Sequence, residues 1–164
     1  MRWLFLFLIF SLSFAQDVYN EYVKERIREI PLEKALVFGN GSKQLIIFVN
    51  PDCGYCRREW EELKKHLSSL KLYVFLLPFE SSSESVAKAN YIACSKNRLR
   101  AFDMVLSGFF DKNPPKSSEC PILKHHISIA QKLGIQTVPY NIILDPPKII
   151  EGYSPALFEH LGIK

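Results

Sequence analysis

The 164 residues are 48% hydrophobic and 23% charged, which excludes a disordered chain and allows one domain of ordinary size. Lys and Arg number 21 against 17 Asp and Glu, a formal charge of +4, and the two signs are interspersed. With no basic patch or stripe, nucleic-acid binding is set aside.

Residues 1–15 read as a cleaved secretory signal peptide. Arg2 supplies the positive start, Trp3 to Phe10 is an unbroken apolar run, and Ser13-Phe14-Ala15 has the small–x–small pattern of a signal-peptidase site. The apolar stretch from Trp3 to Ala15 is shorter than the roughly 20 residues a membrane-spanning helix needs. No cysteine follows the cut to carry a lipid anchor.

Residues 16–35 form an N-terminal amphipathic helix and linker. Val18, Tyr19, Tyr22, Val23, Ile27 and Ile30 recur at three- and four-residue steps, and Pro31 breaks the pattern. The folded domain is expected over 36–164. Leu36 to Phe38 reads as a short strand entering the Gly39-Asn40-Gly41 turn, and Leu45 to Val49 as a strand buried on both faces. Trp60, Leu63, Leu67 and Leu70 give a helical period extending to about Ser69. Leu72 to Leu77 is a second buried strand, so this unit is strand–helix–strand with a parallel crossover.

A helical insertion is expected at about 81–133, between the second and third core strands. Its first helical stretch runs from Ser81 toward Phe110, with a break at Asn97 to Arg100. Asp111 to Ser118 is a loop, and Ile122 to Leu133 a helix closed by Gly134. Tyr140 to Leu144 is a strand, Asp145-Pro146-Pro147 a turn and Lys148 to Glu151 a returning strand. Ser154 caps a last helix through Leu161. The fold class is α/β, a central mixed sheet flanked by helices.

The chemistry centres on Pro51-Asp52-Cys53-Gly54-Tyr55-Cys56-Arg57-Arg58, at the joint between a buried strand and a helix. Thiol–disulfide exchange needs a thiolate. Unpaired backbone N–H groups and the dipole at a helix start favour an anion, which points to Cys53 as nucleophile. Cys56, one turn further in, is placed to resolve the mixed disulfide that Cys53 forms. Arg57 and Arg58 add positive charge, and Asp52 opposes it. Cys94 and Cys120, far apart in the chain, look structural rather than reactive.

Two other uses of the Cys53/Cys56 pair compete with this one. The pair could be half of a copper or zinc site, which needs two further ligands. His125 and His126 are adjacent and point to different helix faces, while His66 and His160 stand alone and are read as solvent-facing. The pair could also form a purely structural bridge.

The motif on a strand–helix joint resembles the thioredoxin superfamily, and within it the catalytic domain of the periplasmic disulfide isomerases DsbC and DsbG. The resemblance is carried by Cys53-Gly54-Tyr55-Cys56, by Tyr91-Ile92-Ala93-Cys94-Ser95-Lys96-Asn97 with Ala101-Phe102-Asp103, by Leu133-Gly134-Ile135-Gln136-Thr137-Val138-Pro139, and by Gly152-Tyr153. It implies a thioredoxin-like fold, catalytic Cys53 and Cys56, a cis bond before Pro139, and Val138 and Pro139 as substrate-binding. It also implies a second, structural disulfide between Cys94 and Cys120, two free buried thiols being the alternative. No cofactor and no metal are implied.

The expected partners are protein substrates with thiols or disulfides and a membrane redox partner with its own cysteine pair, in the periplasm. Three departures qualify the type. Family members carry an N-terminal dimerisation domain, whereas about twenty residues separate the signal from the first strand here, so a monomer is expected. Val138 stands where isomerases usually have Thr and where the oxidase DsbA has Val. Ile47 stands where thioredoxin and DsbA have a buried acid, which removes one candidate proton acceptor for Cys56. The reading is a DsbC-like isomerase or reductase, with a DsbA-like dithiol oxidase as its alternative and a periplasmic metal-binding module as the alternative of another class.

Overall fold

The computed structural model describes residues 2–163, and side chains over residues 14–163. Met1 and Lys164, the outer ends of the signal and domain readings, lie outside them. The two continuous apolar runs become the centre of the sheet: β2 (Lys43–Val49) and β3 (Leu70–Leu76) pair in parallel, Leu45 beside Leu72, Ile47 beside Val74 and Val49 beside Leu76. A parallel pair needs a crossover, and α2 (Gly54–Leu63) supplies it. β1 (Leu36–Phe38) lies antiparallel to β3, β4 (Tyr140–Leu144) antiparallel to β2, and β5 (Pro147–Glu151) antiparallel to β4. The strand order is β1-β3-β2-β4-β5.

Alternation along β2 divides the core between the two faces of the sheet. Leu45, Ile47 and Val49 pack with Trp60 and Leu63 of α2, Ile92 of α3 (Ser83–Cys94), Phe102 of α4 (Arg98–Leu106) and Leu157 of α6 (Pro155–Leu161). Ile46 and Phe48 face Val23 of α1 (Arg2–Arg28) and Ala130 of α5 (Pro121–Lys132). Burying one such Leu, Ile or Phe side chain contributes roughly 1.5–3 kcal/mol, so the helices on both faces contribute to the stability of the sheet between them.

The element boundaries differ from expectation where tertiary hydrogen bonds take over. α2 ends at Leu63 and tightens into a 3₁₀ turn over Lys64–His66 instead of reaching Ser69. The carbonyls of Ser69 and Leu70 are taken by the amides of Lys43 and Gly41, at 3.1 and 3.0 Å. A Cβ on Gly41 would lie 1.9 Å from the Ser69 carbonyl carbon, so only glycine allows this crossing. The insertion breaks at Ser95–Asn97, slightly ahead of the expected place, because the Asn97 side chain accepts from the Arg100 amide and caps α4. α1 runs on without interruption through Ala15 and Gln16. Among the described residues, no helix is long and apolar enough to cross a membrane.

Candidate active site

Cys53 is the N-cap of α2, with extended backbone at φ −78° and ψ 119°. Asn50, itself 2% exposed, shapes the turn ahead of it: its side-chain oxygen accepts from the Asp52 amide at 2.7 Å and its carbonyl from the Cys53 amide at 3.1 Å. Gly54 and Tyr55 face solvent, whereas Cys56 is 1% exposed. Both cysteines of the motif are free thiols. The helix start therefore separates one accessible sulfur from one buried sulfur. Burial pushes the Cys56 thiol far above its ordinary range; the Asn50 backbone pulls the other way, and neighbouring Cys53 adds to the rise.

The loop before β4 closes the site from the other side. The Val138–Pro139 peptide is cis, and the Cys53 Sγ donates to the Val138 carbonyl at 3.6 Å. Gly152 ties the loop down by donating to the Pro139 carbonyl at 2.7 Å. Cys53, Cys56, Val138 and Pro139 thus meet at one end of the sheet. Cys94 and Cys120 lie apart from them, joined as a disulfide between the end of α3 and the N-cap of α5 with a Cα separation of 5.6 Å.

The charges around the motif form a network that reaches well beyond it. Arg57 grips Asp111 through two guanidinium nitrogens, at 2.6 and 2.7 Å, and reaches Asp52 at 3.5 Å. Lys88 of α3, 4% exposed, donates to Asp52 and, at 2.9 Å, to Asp111. Hydrogen bonding by Arg57 holds the Asp111 carboxyl well below the usual carboxylate range, and Lys88 adds to the effect. The negative charge of Asp52, next to Cys53, is therefore offset by a buried ammonium from another helix. Arg58 leaves this network and stacks over the Tyr153 ring at 4.8 Å.

Three features of the site were not anticipated from the sequence. Lys88 and Asp111 gave no local sign of sharing Asp52. A groove of about 190 Å³ opens beside Val138, lined in part by Asn50, Phe79, Ile127, Ile135 and Gln136. Glu59, an acid to which the sequence assigned no role, is 1% exposed in the core. Its signal was present in the spacing: Cys56, Glu59, Trp60 and Leu63 form the i, i+3, i+4, i+7 stripe of a buried helix face. Burial lifts the Glu59 carboxyl to about 8, against a hydrogen bond from Asn141 that lowers it. His126 is likewise buried while His125 is exposed, and His66 is only half exposed. Among the described residues, no three His, Cys, Asp or Glu side chains converge as a metal-ligand set.

A thioredoxin-like domain model matches residues 31–158. The chain is 28% identical over 114 residues to the probable thiol:disulfide interchange protein DsbC of Bordetella avium, a match covering 68% of this chain and 39% of that one. It is 26% identical over 144 residues to the thiol:disulfide interchange protein DsbC of Salmonella typhimurium, covering 84% of this chain and 57% of the relative. The chain thus spans less than two thirds of the length of these relatives. The structure superimposes on the disulfide interchange protein from Neisseria gonorrhoeae with a TM-score of 0.68 and 25% identity, over 81% of this chain and 96% of that one.

Proposed function

Because the chain belongs to the thioredoxin-like family, we propose that it is a thiol–disulfide oxidoreductase exchanging disulfides with protein substrates through Cys53 and Cys56. What supports this most is the pairing of an accessible sulfur at a helix start with a buried one a turn behind it. A Cys53 thiolate attacks a substrate disulfide, forming a Cys53–substrate bond and releasing the other substrate sulfur as a thiolate. Cys56, deprotonated, then attacks Cys53, closes the Cys53–Cys56 bond and frees the reduced substrate. The reverse sequence starts from the Cys53–Cys56 disulfide and oxidises a substrate dithiol.

Val138 and Pro139 are assigned to substrate binding. The Val138 carbonyl faces Cys53, so an extended peptide pairing with that backbone would bring its own sulfur to the nucleophile. The groove beside Val138 supplies apolar room for residues flanking that sulfur. The type is DsbC-like isomerase or reductase, acting in the periplasm after removal of residues 1–15 and recharged by a membrane redox partner. Dithiol oxidation is the second reading, favoured by Val138 at the position before the proline.

Reduction of insulin tests the activity: the wild type turns it over, and Cys53→Ala abolishes turnover. Equal rates in both would end the enzyme reading. Equilibration of the Cys53/Cys56 pair with glutathione separates the types, since a potential near about −270 mV fits a reductase and one near about −120 mV a strong oxidant.

A further inference from the structure

Glu59 lies one helical turn beyond Cys56, and both side chains are 1% exposed. A carboxylate this deep, with no ion-pair partner among the described residues, is strongly disfavoured against its neutral form. The charged groups nearest the motif, Asp52, Arg57, Lys88 and Asp111, pair with one another and not with Glu59. Burial and Asn141 govern its own acidity, and its charge adds, after burial and Cys53, to the rise of the Cys56 thiol.

The hydrogen bonds of Glu59 and Asn141 favour the protonated acid. Asn141 Nδ2 donates to Glu59 Oε2 at 3.1 Å. Among the described residues, the buried side-chain atoms left without a partner are Glu59 Oε1 and Asn141 Oδ1. Both are acceptors, and they belong to one pair already joined through its other atoms. A proton on Oε1 converts one of them into a donor, so an acid–amide pair satisfies what a carboxylate–amide pair leaves open. Asn141 stands opposite Ile47 across the β2–β4 ladder. The carboxyl group thus reaches from the helix to the sheet layer in which β2 itself carries only an apolar side chain.

We propose that Glu59, held by Asn141, gives its proton to Cys56 when the Cys53–Cys56 disulfide is opened and takes it back when that bond closes. On opening, an incoming thiolate bonds to Cys53 Sγ and the Cys53–Cys56 bond breaks. The electron pair of that bond leaves on Cys56 Sγ, which receives the Glu59 proton and becomes a thiol, leaving Glu59 as a carboxylate. On closing, the carboxylate accepts the Cys56 proton, the thiolate attacks Cys53 and the substrate sulfur departs. No further reactant is needed. The inference rests on the exchange activity proposed above.

The test is the opening rate of the oxidised full-length protein by dithiothreitol, acid-quenched and read by mass from about pH 6 to about pH 10. Divided by the concentration of reductant thiolate, the wild-type rate should fall as the pH rises through about 8, where Glu59 loses its proton. Glu59→Gln, which keeps the shape and can pair with Asn141 through both amide atoms, should open about 100-fold more slowly at pH 7 and lose that pH dependence. A variant with the wild-type rate and profile overturns the inference. A wild type that never exchanges disulfides overturns instead the activity on which it rests. Should the variant fail to fold, infrared spectroscopy of the wild type decides: isotope-labelled glutamate must shift a protonated-carboxyl band, and its absence at neutral pH overturns the inference.

Discussion

Each ring nitrogen of His126 has a partner, one on β3 and one on the 3₁₀ turn Leu32–Lys34: Nδ1 accepts from the Leu76 amide at 3.0 Å and Nε2 meets the Lys34 carbonyl at 2.7 Å. An amide can only bond a lone pair, so Nδ1 is bare and the proton sits on Nε2. Protonating the ring breaks the Leu76 bond inside the core, and burial lowers the imidazole to about 4 from its ordinary 6.5. The unfolded chain takes up that proton first. The contribution of His126 to stability is therefore complete above about pH 6.5 and is lost as the pH falls toward 4. The loss amounts to about 3 kcal/mol. Glu59 tilts the curve the other way, because its native form holds a proton that the unfolded chain has released. Urea unfolding of the wild type against His126→Gln isolates the histidine: the variant should be the less stable at neutral pH, and the gap should close by about 3 kcal/mol on acidification to about pH 4. A gap that does not change with pH would contradict this assignment.

Among the elements, the α3–α5 junction is tied by several bonds of different kinds. The Cys94–Cys120 bridge joins the end of one helix to the cap of the other, Asn90 accepts from the Cys120 amide at 2.9 Å, and Ser117 donates to the Ala87 carbonyl at 2.8 Å. The bridge spans a sequence separation of 26. Loop-closure entropy over that length is worth about 3.5 kcal/mol. Replacing both cysteines with alanine should lower the urea-unfolding free energy by about that amount. Insulin reduction below the unfolding transition should stay near the wild-type rate, since Lys88 and its carboxylates keep α3 against the motif. Loss of turnover at unchanged stability would mean that this pair takes part in the exchange itself.

For the whole molecule, the sheet is a partition between two hydrophobic layers, and the layer away from the motif depends on α1. Val23 is wholly buried there, the Tyr19 hydroxyl accepts from the Ile149 amide at 3.0 Å, and Arg26 donates to the Leu133 carbonyl at 2.6 Å. All these contacts lie after residue 15. A chain beginning at Gln16 should therefore unfold at the same urea concentration as the full chain. One beginning at Pro31 removes the buried Val23 and Ile30 from the layer over β4 and β5 and should lose at least about 3 kcal/mol. Equal stability of the two truncated chains would remove α1 from the fold's account.

Wherever the signal was local, the residues alone were enough. Leu45 to Val49 and Leu72 to Leu77 are apolar throughout because the central strands are covered on both sides. Gly134, Ser154 and the strand–helix joint carrying Cys53 declare themselves by turn and cap chemistry. Pairing across the sequence was not legible. Spacing turns Glu59 inward while Glu61 and Glu62 turn out, but nothing in the sequence names its partner Asn141, 82 positions away. Lys88 looks like any helix lysine until Asp52 and Asp111 close on it, and His126 differs from His125 only through the elements packed around it. Periodicity records which way a side chain turns; what waits there for a charge or a proton depends on chain brought in from elsewhere, and only the folded structure decides that.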